Sequence, residues 1–309
     1  MGFMPKRSLV SESRLKQLQQ QNARYIISCY QNEFYCENHP DGKCTRGFFS
    51  LFLQVVYGIG FAKQHGIPFY VDFGNLNYPY SSRKEESTFK NFWEELFTQP
   101  SLTNTDIQVI NKQFEVYPLR IWNRDHLREL NALVSTGIKF NEALKTKIEE
   151  IKINMAKLRT LGVHFRKTDH FLEVRPASNE VFFRQIKNKL PGYDQLFVAT
   201  DDCNILEILK KKFPEKIWAH DCVRSTGSLS IHHNEEHKDG VVLAKEALLD
   251  CITLSYCDEL ILSPSNLSYA ALVFNPEIKY SIIESKVATW KRLKTLLAFH
   301  LNRLGIRKW

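Results

Sequence analysis

Short runs of β-branched and aromatic residues alternate with longer helical segments along this chain of 309 residues, and this alternation constrains the fold most. It is typical of α/β domains in which helices connect mostly parallel strands. In the second half the alternation is regular enough to predict a doubly wound sheet. The predicted strands are Tyr25–Cys29, Pro68–Phe73, Ile107–Ile110, Leu161–Phe165, Leu196–Thr200, Lys216–His220, Glu259–Ser263 and Lys279–Ile283.

The helical segments between these strands differ in how much of their surface is apolar. The most apolar stretch, Gly47–Ala62, is shorter than the roughly 20 residues that span a bilayer, so we expect a buried core helix. In Asn141–Arg159 the apolar residues recur at helical spacing, which predicts one buried face. The other predicted helices are Asn91–Phe97, Glu180–Leu190, Ile205–Phe213, Val241–Tyr256 and Asn266–Phe274.

The chain length predicts two domains, because a common domain has about 150 residues. We place the boundary near the end of the helical segment Asn141–Arg159. The expected parts are a Rossmann-like domain over 1–158, a second one over 159–285 and a C-terminal helix over 286–309. Two such domains would face each other across a cleft, with ligands beyond the carboxyl ends of the strands.

The composition narrows the ligand class. A net charge of +8 and a pI near 9.0 suit an anionic ligand such as a sugar nucleotide. The cations are scattered and the aromatic signatures of RNA-binding domains are absent, so nucleic-acid binding would rest on net charge alone. We therefore expect no nucleic-acid partner.

The cysteines indicate the compartment. There are 7 of them, an odd number with no CxxC pair, which argues against a disulfide framework and against a zinc site. The first 21 residues lack an apolar h-region, so we expect no signal peptide. Reduced thiols in a cytoplasmic protein fit these observations best.

The strand end Gly162–His170 (GVHFRKTDH) concentrates two His, two cations and one carboxylate. His164 and Arg166 share one face of the strand, because alternate residues of a strand point the same way. An Arg there can hold a pyrophosphate through two charge-assisted hydrogen bonds. The alternative is structural, with Arg166 paired to Asp169 and His164 half-buried.

Carboxylates follow a strand and interrupt an apolar helix. After the strand ending at Thr200, Asp202 is a candidate N-cap, and its neighbour Asp201 does not make a DxD metal pair with it. Asp250 lies among apolar residues and needs a partner if it is buried. The N1–H and 2-amino groups of guanine suit its two oxygens. The alternative places Asp250 on a solvent face with Glu246.

The turn Ser263–Ser268 (SPSNLS) leads from a strand into a helix N-terminus. The backbone N–H groups and hydroxyls of such a turn bind phosphate oxygens. Simple N-capping by Ser265 or Asn266 is the alternative, and it is compatible with phosphate binding.

Four segments together resemble the fucosyltransferase superfamily that contains the α1,6-fucosyltransferases, the bacterial Nod-factor fucosyltransferases and the protein O-fucosyltransferases. Their order and spacing match, and H-x-R-x-T-D is the most specific element. In the first half, Asn91–Pro100 (NFWEELFTQP) resembles a segment of the bacterial relatives. The four segments are GVHFRKTDH, LFVATDD, GVVLAKEALLDCITLSYCDELILSPSN and ALVFNP.

The resemblance implies two Rossmann-like domains in a GT-B architecture, an inverting displacement, a GDP-fucose donor, a glycan or protein acceptor, and no metal or cofactor. By position, Arg166 would neutralise the β-phosphate of the leaving GDP, and His164 and Asp250 would hold the nucleoside. The donor-binding residues it implies are His164, Arg166, Asp201, Asp202, Asp250, Ser263, Ser265, Asn266 and Gly47.

The chain departs from the α1,6 enzymes in three respects. The glycine-rich turn after their first strand is reduced here to Thr45–Phe49, which contains only Gly47. A lysine that follows T-D in those enzymes is replaced by His170, and their downstream glutamate is displaced to Glu173. The base that takes the acceptor proton is therefore sought among Glu173, His170 and Asp169, in that order.

The last segment, Glu284–Trp309, mixes cations with large apolar residues. A helix that packs back on the first domain is the preferred interpretation. The alternative is a basic amphipathic helix that rests on anionic lipid at the inner face of a membrane. Two functional rivals also stay open: a GT-B transferase with another nucleotide sugar, and a GDP-sugar-binding protein without catalysis.

Overall fold

The computed structural model of the protein describes residues 16, 23–29, 44, 46–74, 77–81, 83–85, 88–102, 107–110, 120–166, 178–226 and 239–306. These residues form two compact units. The first unit takes the residues up to Asn141 and those from Lys294 on, and the second takes Glu142–Leu293. The domain boundaries expected from the sequence, at 158 and 285, stay predictions.

The first unit contains a three-stranded parallel sheet in the order β2-β1-β6. Its described strands are β1 (Ala23–Ile27), β2 (Phe69–Val71), β3 (Arg83–Glu85), β4 (Thr88–Phe89), β5 (Phe97–Thr98), β6 (Ile107–Ile110) and β7 (Lys139–Phe140), and its helices are α1 (Phe48–Gln64) and α2 (Arg124–Gly137). The strands predicted at the positions of β1, β2 and β6 are confirmed.

Helix α1 is the core of this unit, as its apolar sequence predicts. Every residue from Phe48 to Ala62 is buried. A Cβ on Gly58 would lie 2.9 Å from Ile27 side-chain atoms, so glycine there permits close packing of α1 on β1.

The prediction of an amphipathic helix over Asn91–Phe97 is wrong, because the segment forms a short 3₁₀ turn and a strand instead. The chain makes one 3₁₀ turn, Phe92–Glu95, and then enters β5, which pairs with β7. The side chain of Asn91 accepts from the backbone N–H of Phe73 at 3.0 Å and donates to the carbonyl of Val71 at 2.7 Å. These tertiary hydrogen bonds hold the turn against β2. The local pattern of apolar residues does not predict them.

The second unit is built on a five-stranded, all-parallel sheet in the order β10-β9-β8-β11-β12. Its strands are β8 (Thr160–Phe165), β9 (Gln195–Thr200), β10 (Ile217–Trp218), β11 (Glu259–Leu262) and β12 (Lys279–Ile282), and its helices are α3 (Glu142–Met155), α4 (Asn179–Lys189), α5 (Cys203–Lys212), α6 (Gly240–Ser255) and α7 (Asn266–Phe274). The predicted strands and helices of this half are confirmed, apart from shifts of a few residues at their ends.

This strand order places a topological switch point between β8 and β11. The chain adds strands to one side of β8 as far as β10 and then crosses to β11 on the other side. Ligands of such sheets bind beyond the carboxyl ends of the strands that flank the switch. The fold thus puts the ends of β8 and β11 at the place where a ligand is expected.

The interior of the second unit explains the local sequence. Gly162 in β8 is required by packing, because a Cβ there would lie 2.6 Å from Leu260 and 2.7 Å from the sulfur of Cys257. The apolar stripe of α3 faces inward, as its helical spacing predicts: the buried residues are Leu144, Ile148, Ile151 and Met155.

A last helix, α8 (Lys286–Arg303), begins in the second unit and ends in the first. Within the described ranges, no helix is long and apolar enough to cross a bilayer. The cytoplasmic location expected from the sequence stays a prediction.

Candidate functional site

The carboxyl ends of β8 and β11 are joined by one backbone hydrogen bond and one bond to a side chain. The N–H of Ser263 donates to the carbonyl of His164 at 2.9 Å, and the N–H of Arg166 donates to Oγ of Ser263 at 3.1 Å. The first bond continues the pairing of the two strands, and the second fixes the backbone of Arg166 beside it. The structure therefore brings together His164, Arg166 and Ser263, three of the residues that the sequence analysis singles out.

A buried cluster of hydroxyls surrounds the imidazole of His164. Its Nδ1 lies 2.7 Å from Oγ of Ser268 and 3.2 Å from Oγ of Ser265. The hydroxyl of Ser268 donates its proton to the carbonyl of Ser263 at 2.6 Å, so toward the imidazole it can only accept. This assigns the proton of neutral His164 to Nδ1 and makes Nε2 an acceptor.

The N-terminus of α7 lies next to this cluster. Ser265 is its N-cap, and the Ser265 hydroxyl accepts from the N–H of Ser268 at 3.1 Å. Asn266 is the first residue of the helix and is half-buried. The capping interpretation of this turn is confirmed, and the positive end of the α7 dipole is thereby placed at the carboxyl end of β11.

Asp202 is also a helix cap. Its Oδ1 accepts from the N–H groups of Asn204 at 2.8 Å and Ile205 at 3.2 Å, at the start of α5. The carbonyl of Asp201 accepts from the N–H of Ser225, so the turn after β9 is bonded to the segment that follows β10. The structure gives Asp202 a supporting position, and donor binding by Asp201 and Asp202 stays a prediction.

Asp250 is buried in α6, with an exposed fraction of 7%. This contradicts the alternative that places it on a solvent face. Its Oδ1 has no hydrogen-bond partner among the residues that the structure describes. Burial raises the pKa of the Asp250 carboxyl to about 7, although the charge of Arg224 acts in the opposite direction. A buried acceptor without a donor is costly, which makes Asp250 a candidate for binding a ligand that supplies a donor.

The segment after β10 encloses Asp250 and was missed by the sequence analysis. Its Arg224 donates to the carbonyls of Cys222 at 3.0 Å and His220 at 2.7 Å, which fixes the guanidinium near Asp250. Glu246 accepts from the N–H of Val223 at 3.0 Å and holds the segment to α6. The signal was available, since these residues follow the carboxyl end of a parallel strand.

His220 also contacts α6. Nε2 of His220 lies 2.7 Å from the hydroxyl of Thr253, which itself donates to the carbonyl of Leu249. The imidazole is therefore the donor of this bond. Burial lowers the pKa of His220 to about 4, with smaller contributions from Lys147 and Arg224.

Two buried donors, one in β10 and one in the segment after it, resemble Asp250 in lacking a partner. Nε1 of Trp218 and Nε of Arg224 have no acceptor within the described part of the chain. Because the charges of Arg224 and Asp250 interact, Nε of Arg224 and Oδ1 of Asp250 are unsatisfied atoms of neighbouring side chains. Such atoms are typical of a site that a polar ligand completes.

Four predicted site residues are not placed by these contacts. The base candidates Asp169, His170 and Glu173 lie outside the described residues. Gly47 is the N-cap of α1 in the first unit, in an extended conformation, and its contact with a donor stays a prediction. Among the described ranges, no group of three or more His, Cys, Asp or Glu residues could hold a metal ion.

The comparison with solved structures defines the fold class. The fold of this chain is similar to that of NodZ α-1,6-fucosyltransferase. A crystal structure of NodZ α-1,6-fucosyltransferase soaked with GDP-fucose has 16% sequence identity and a TM-score of 0.51, and the match covers 86% of this chain and 96% of that one. This likeness shows the fold alone.

Two further structures are similar at lower scores. Fucosyltransferase NodZ from Bradyrhizobium has 16% identity and a TM-score of 0.48, covering 81% of this chain and 92% of that chain. POFUT1 in complex with GDP has 12% identity and a TM-score of 0.46, covering 85% and 99%. No family model and no curated protein sequence matches the chain.

Proposed function

We propose that this chain is an inverting, metal-independent glycosyltransferase that moves fucose from GDP-fucose to a glycan or protein acceptor. The observation that carries the proposal is the buried Oδ1 of Asp250, which no described residue hydrogen-bonds, in a fold similar to that of NodZ. The NodZ crystals soaked with GDP-fucose support the same donor here. The GT-B arrangement of two domains is part of this proposal.

Guanine is the base that suits Asp250. Its N1–H and 2-amino group are adjacent donors that match the two oxygens of one carboxylate, whereas uracil offers a single ring N–H. Binding guanine would give Oδ1 the donor it lacks and would favour the ionised carboxylate. Hydrogen bonds to a charged group contribute about 1.5–3 kcal/mol, so this contact would decide the choice of nucleotide.

The diphosphate would lie at the ends of β8 and β11. There the backbone of Arg166 is fixed by Ser263, and α7 begins at Asn266 with its positive dipole end. A guanidinium and a helix N-terminus are the groups that proteins use to bind phosphate oxygens. His164, with Nε2 as an acceptor, suits a hydroxyl of the ribose.

The reaction needs an anion stabiliser and a base. The bond from the anomeric carbon of fucose to the β-phosphate oxygen breaks, and GDP leaves with the electron pair. The acceptor oxygen forms its bond to the opposite face of that carbon, and its proton passes to a base. Arg166 and the α7 N-terminus stabilise the departing anion. Their positive charge takes the place of the metal ion that metal-dependent transferases use. Glu173, His170 and Asp169 stay the base candidates, in that order.

The test is calorimetric titration of the wild type with GDP, UDP and ADP, each with EDTA present. GDP should bind at least about tenfold more tightly than the other two, because only guanine supplies the two donors. Glu207→Gln removes an exposed carboxylate and serves as the control for the Asp250→Asn variant. It should bind GDP like the wild type. Equal affinities, or a preference for UDP, would contradict the donor assignment. If the chain binds GDP but does not turn over GDP-fucose, it is a GDP-binding protein, and the proposal that it is an enzyme is contradicted.

A further inference from the structure

Helix α8 and the turn after it expose more large apolar surface than any other described segment. Eleven large apolar residues are exposed in the described ranges, and six of them lie between residues 287 and 306. The proposed transferase chemistry uses none of them. They are Val287 and Trp290 at 61%, Leu293 at 45%, Leu297 at 61%, Leu304 at 72% and Ile306 at 71% exposed.

These side chains form one stripe along the helix. Val287, Trp290, Leu293, Leu297 and Leu304 follow one another in steps of three, three, four and seven residues, which keeps them on one face. An apolar stripe of this length on a protein surface marks an interaction site more often than chance exposure.

The opposite face of α8 is packed on the protein. Ala288 and Phe299 are buried there. Nε of Arg292 lies 2.8 Å from Glu284, and Arg303 lies 3.2 Å from Glu129. In each unit, the residues that hold α8 therefore contact the helix face opposite to the apolar stripe.

The charge around this stripe has a single sign. From Ser285 to Trp309 the sequence contains no Asp or Glu. The rest of the chain then has 35 Lys and Arg against 34 Asp and Glu, so this segment carries nearly all of the net charge of +8. Its seven cations are Lys286, Lys291, Arg292, Lys294, Arg303, Arg307 and Lys308.

We propose that α8 docks the protein on an anionic lipid bilayer. The indole of Trp290 and the aliphatic side chains of the stripe enter the boundary between headgroups and acyl chains, and the cations beside them bind the anionic headgroups. A helix with an apolar face, a basic polar face and no acid has the composition of an interfacial helix. Each Lys or Arg near such a surface strengthens binding by about fivefold.

Two other occupants fit the stripe less well. A second copy on a twofold axis would bring the same patch against itself, and Lys286, Lys291 and Lys294 would meet the same cations of the second copy. A nucleic acid binds through phosphate contacts and leaves a row of exposed aliphatic side chains unexplained. An anionic bilayer accommodates both the charge and the apolar stripe.

The experiment is flotation of the full chain with phosphatidylcholine vesicles, either pure or containing about one third phosphatidylglycerol. We expect binding to the anionic vesicles only, and its loss when the salt is raised to about 1 M. The Lys286→Glu, Lys294→Glu variant should bind at least about 20-fold more weakly, because two cations become anions.

The apolar stripe is tested by Trp290→Ser, Leu297→Ser, with Ile153→Ser as the matched control on α3, where Ile153 is 59% exposed. The stripe variant should lose vesicle binding while its melting temperature stays within a few degrees of the wild type, and the control should bind normally. Equal loss in the control, no binding of the wild type to anionic vesicles, or a dimer by light scattering that the stripe variant dissociates would each overturn the proposal. Turnover of GDP-fucose without vesicles is independent of this outcome.

Discussion

Nδ1 of His164, at the end of β8, lies 2.7 Å from Oγ of Ser268 on α7. This contact joins two elements of the proposed diphosphate site. One is the strand that leads to Arg166, and the other is the helix whose N-terminus would also bind the diphosphate. Both partners are buried, so the bond fixes their positions without competition from water. The geometry of the proposed phosphate site depends on it.

Ser268→Ala should lower the free energy of unfolding by about 1–3 kcal/mol. The substitution removes the acceptor of the His164 Nδ1–H and the donor to the carbonyl of Ser263, and both groups stay buried. Urea denaturation measures the change. Ser281→Ala is the control, because the Ser281 hydroxyl is only half-buried in its strand, and it should change stability by less than about 0.5 kcal/mol. A Ser268→Ala protein as stable as the wild type would mean that the cluster can rearrange.

Asp250→Asn should weaken GDP binding and stabilise the free protein at alkaline pH. The folded-state pKa of Asp250 is raised to about 7 from 3.8, so the fold favours the protonated carboxyl and loses stability as the pH rises through this range. The loss corresponds to about 4 kcal/mol at most. Above pH 7 the variant should therefore be the more stable protein, and near pH 4 the two should be alike.

The same variant offers guanine an NH₂ group where it needs an acceptor, so its GDP affinity should fall about 10-fold to 100-fold. Thermal denaturation over pH 4–8 and calorimetry check the two halves of this expectation. Unchanged GDP affinity would remove Asp250 from the base site even if the stability result held.

His220→Gln should flatten the loss of stability in acid. Burial lowers the pKa of His220 to about 4, below the 6.5 of an unfolded chain, so wild-type stability declines as the pH falls from about 6.5 to 4. Glutamine keeps a donor for Thr253 and does not titrate. The wild type should lose about 1–3 kcal/mol more than the variant over this interval, since the side chain is partly exposed. Parallel stability profiles of the two proteins would contradict the assignment.

Arg166→Lys should lower kcat about 100-fold or more while the protein stays folded. Lysine keeps the charge but loses the planar fork that holds two phosphate oxygens, and the interaction strengthens as the diphosphate leaves. The backbone bond from residue 166 to Ser263 is unaffected by the change. Donor turnover and thermal stability are measured on the same preparations. Near-normal turnover would mean that Arg166 has no catalytic role.

The sequence predicts the regular parts of this molecule because their signals are local. The buried stripe of α3 follows from the spacing of Leu144 and Ile148, and the cap of α7 follows from Ser265 before an apolar run. The burial of Asp250 could be expected from its apolar neighbours. The sequence pattern also contains signals for helix α2 that were not used: Asn123 caps it, and Leu127, Leu130 and Val134 are buried at helical spacing.

The remaining features depend on contacts between distant residues. The 3₁₀ turn after Asn91 is set by bonds to β2, which no local pattern contains. The proximity of Arg224 to Asp250 depends on how the segment after β10 folds against α6. The proton position on His164 depends on Ser268, 104 residues further along the chain.

Release of GDP from GDP-fucose by the purified chain in EDTA tests the proposed transferase activity most directly, with UDP-sugars as competing donors and Arg166→Lys as the control. We predict steady GDP release by the wild type, no release of UDP, and a rate at least about 100-fold lower for the variant. GDP release that requires added Mg²⁺ or Mn²⁺, release of UDP at a comparable rate, or a variant as active as the wild type would contradict the account.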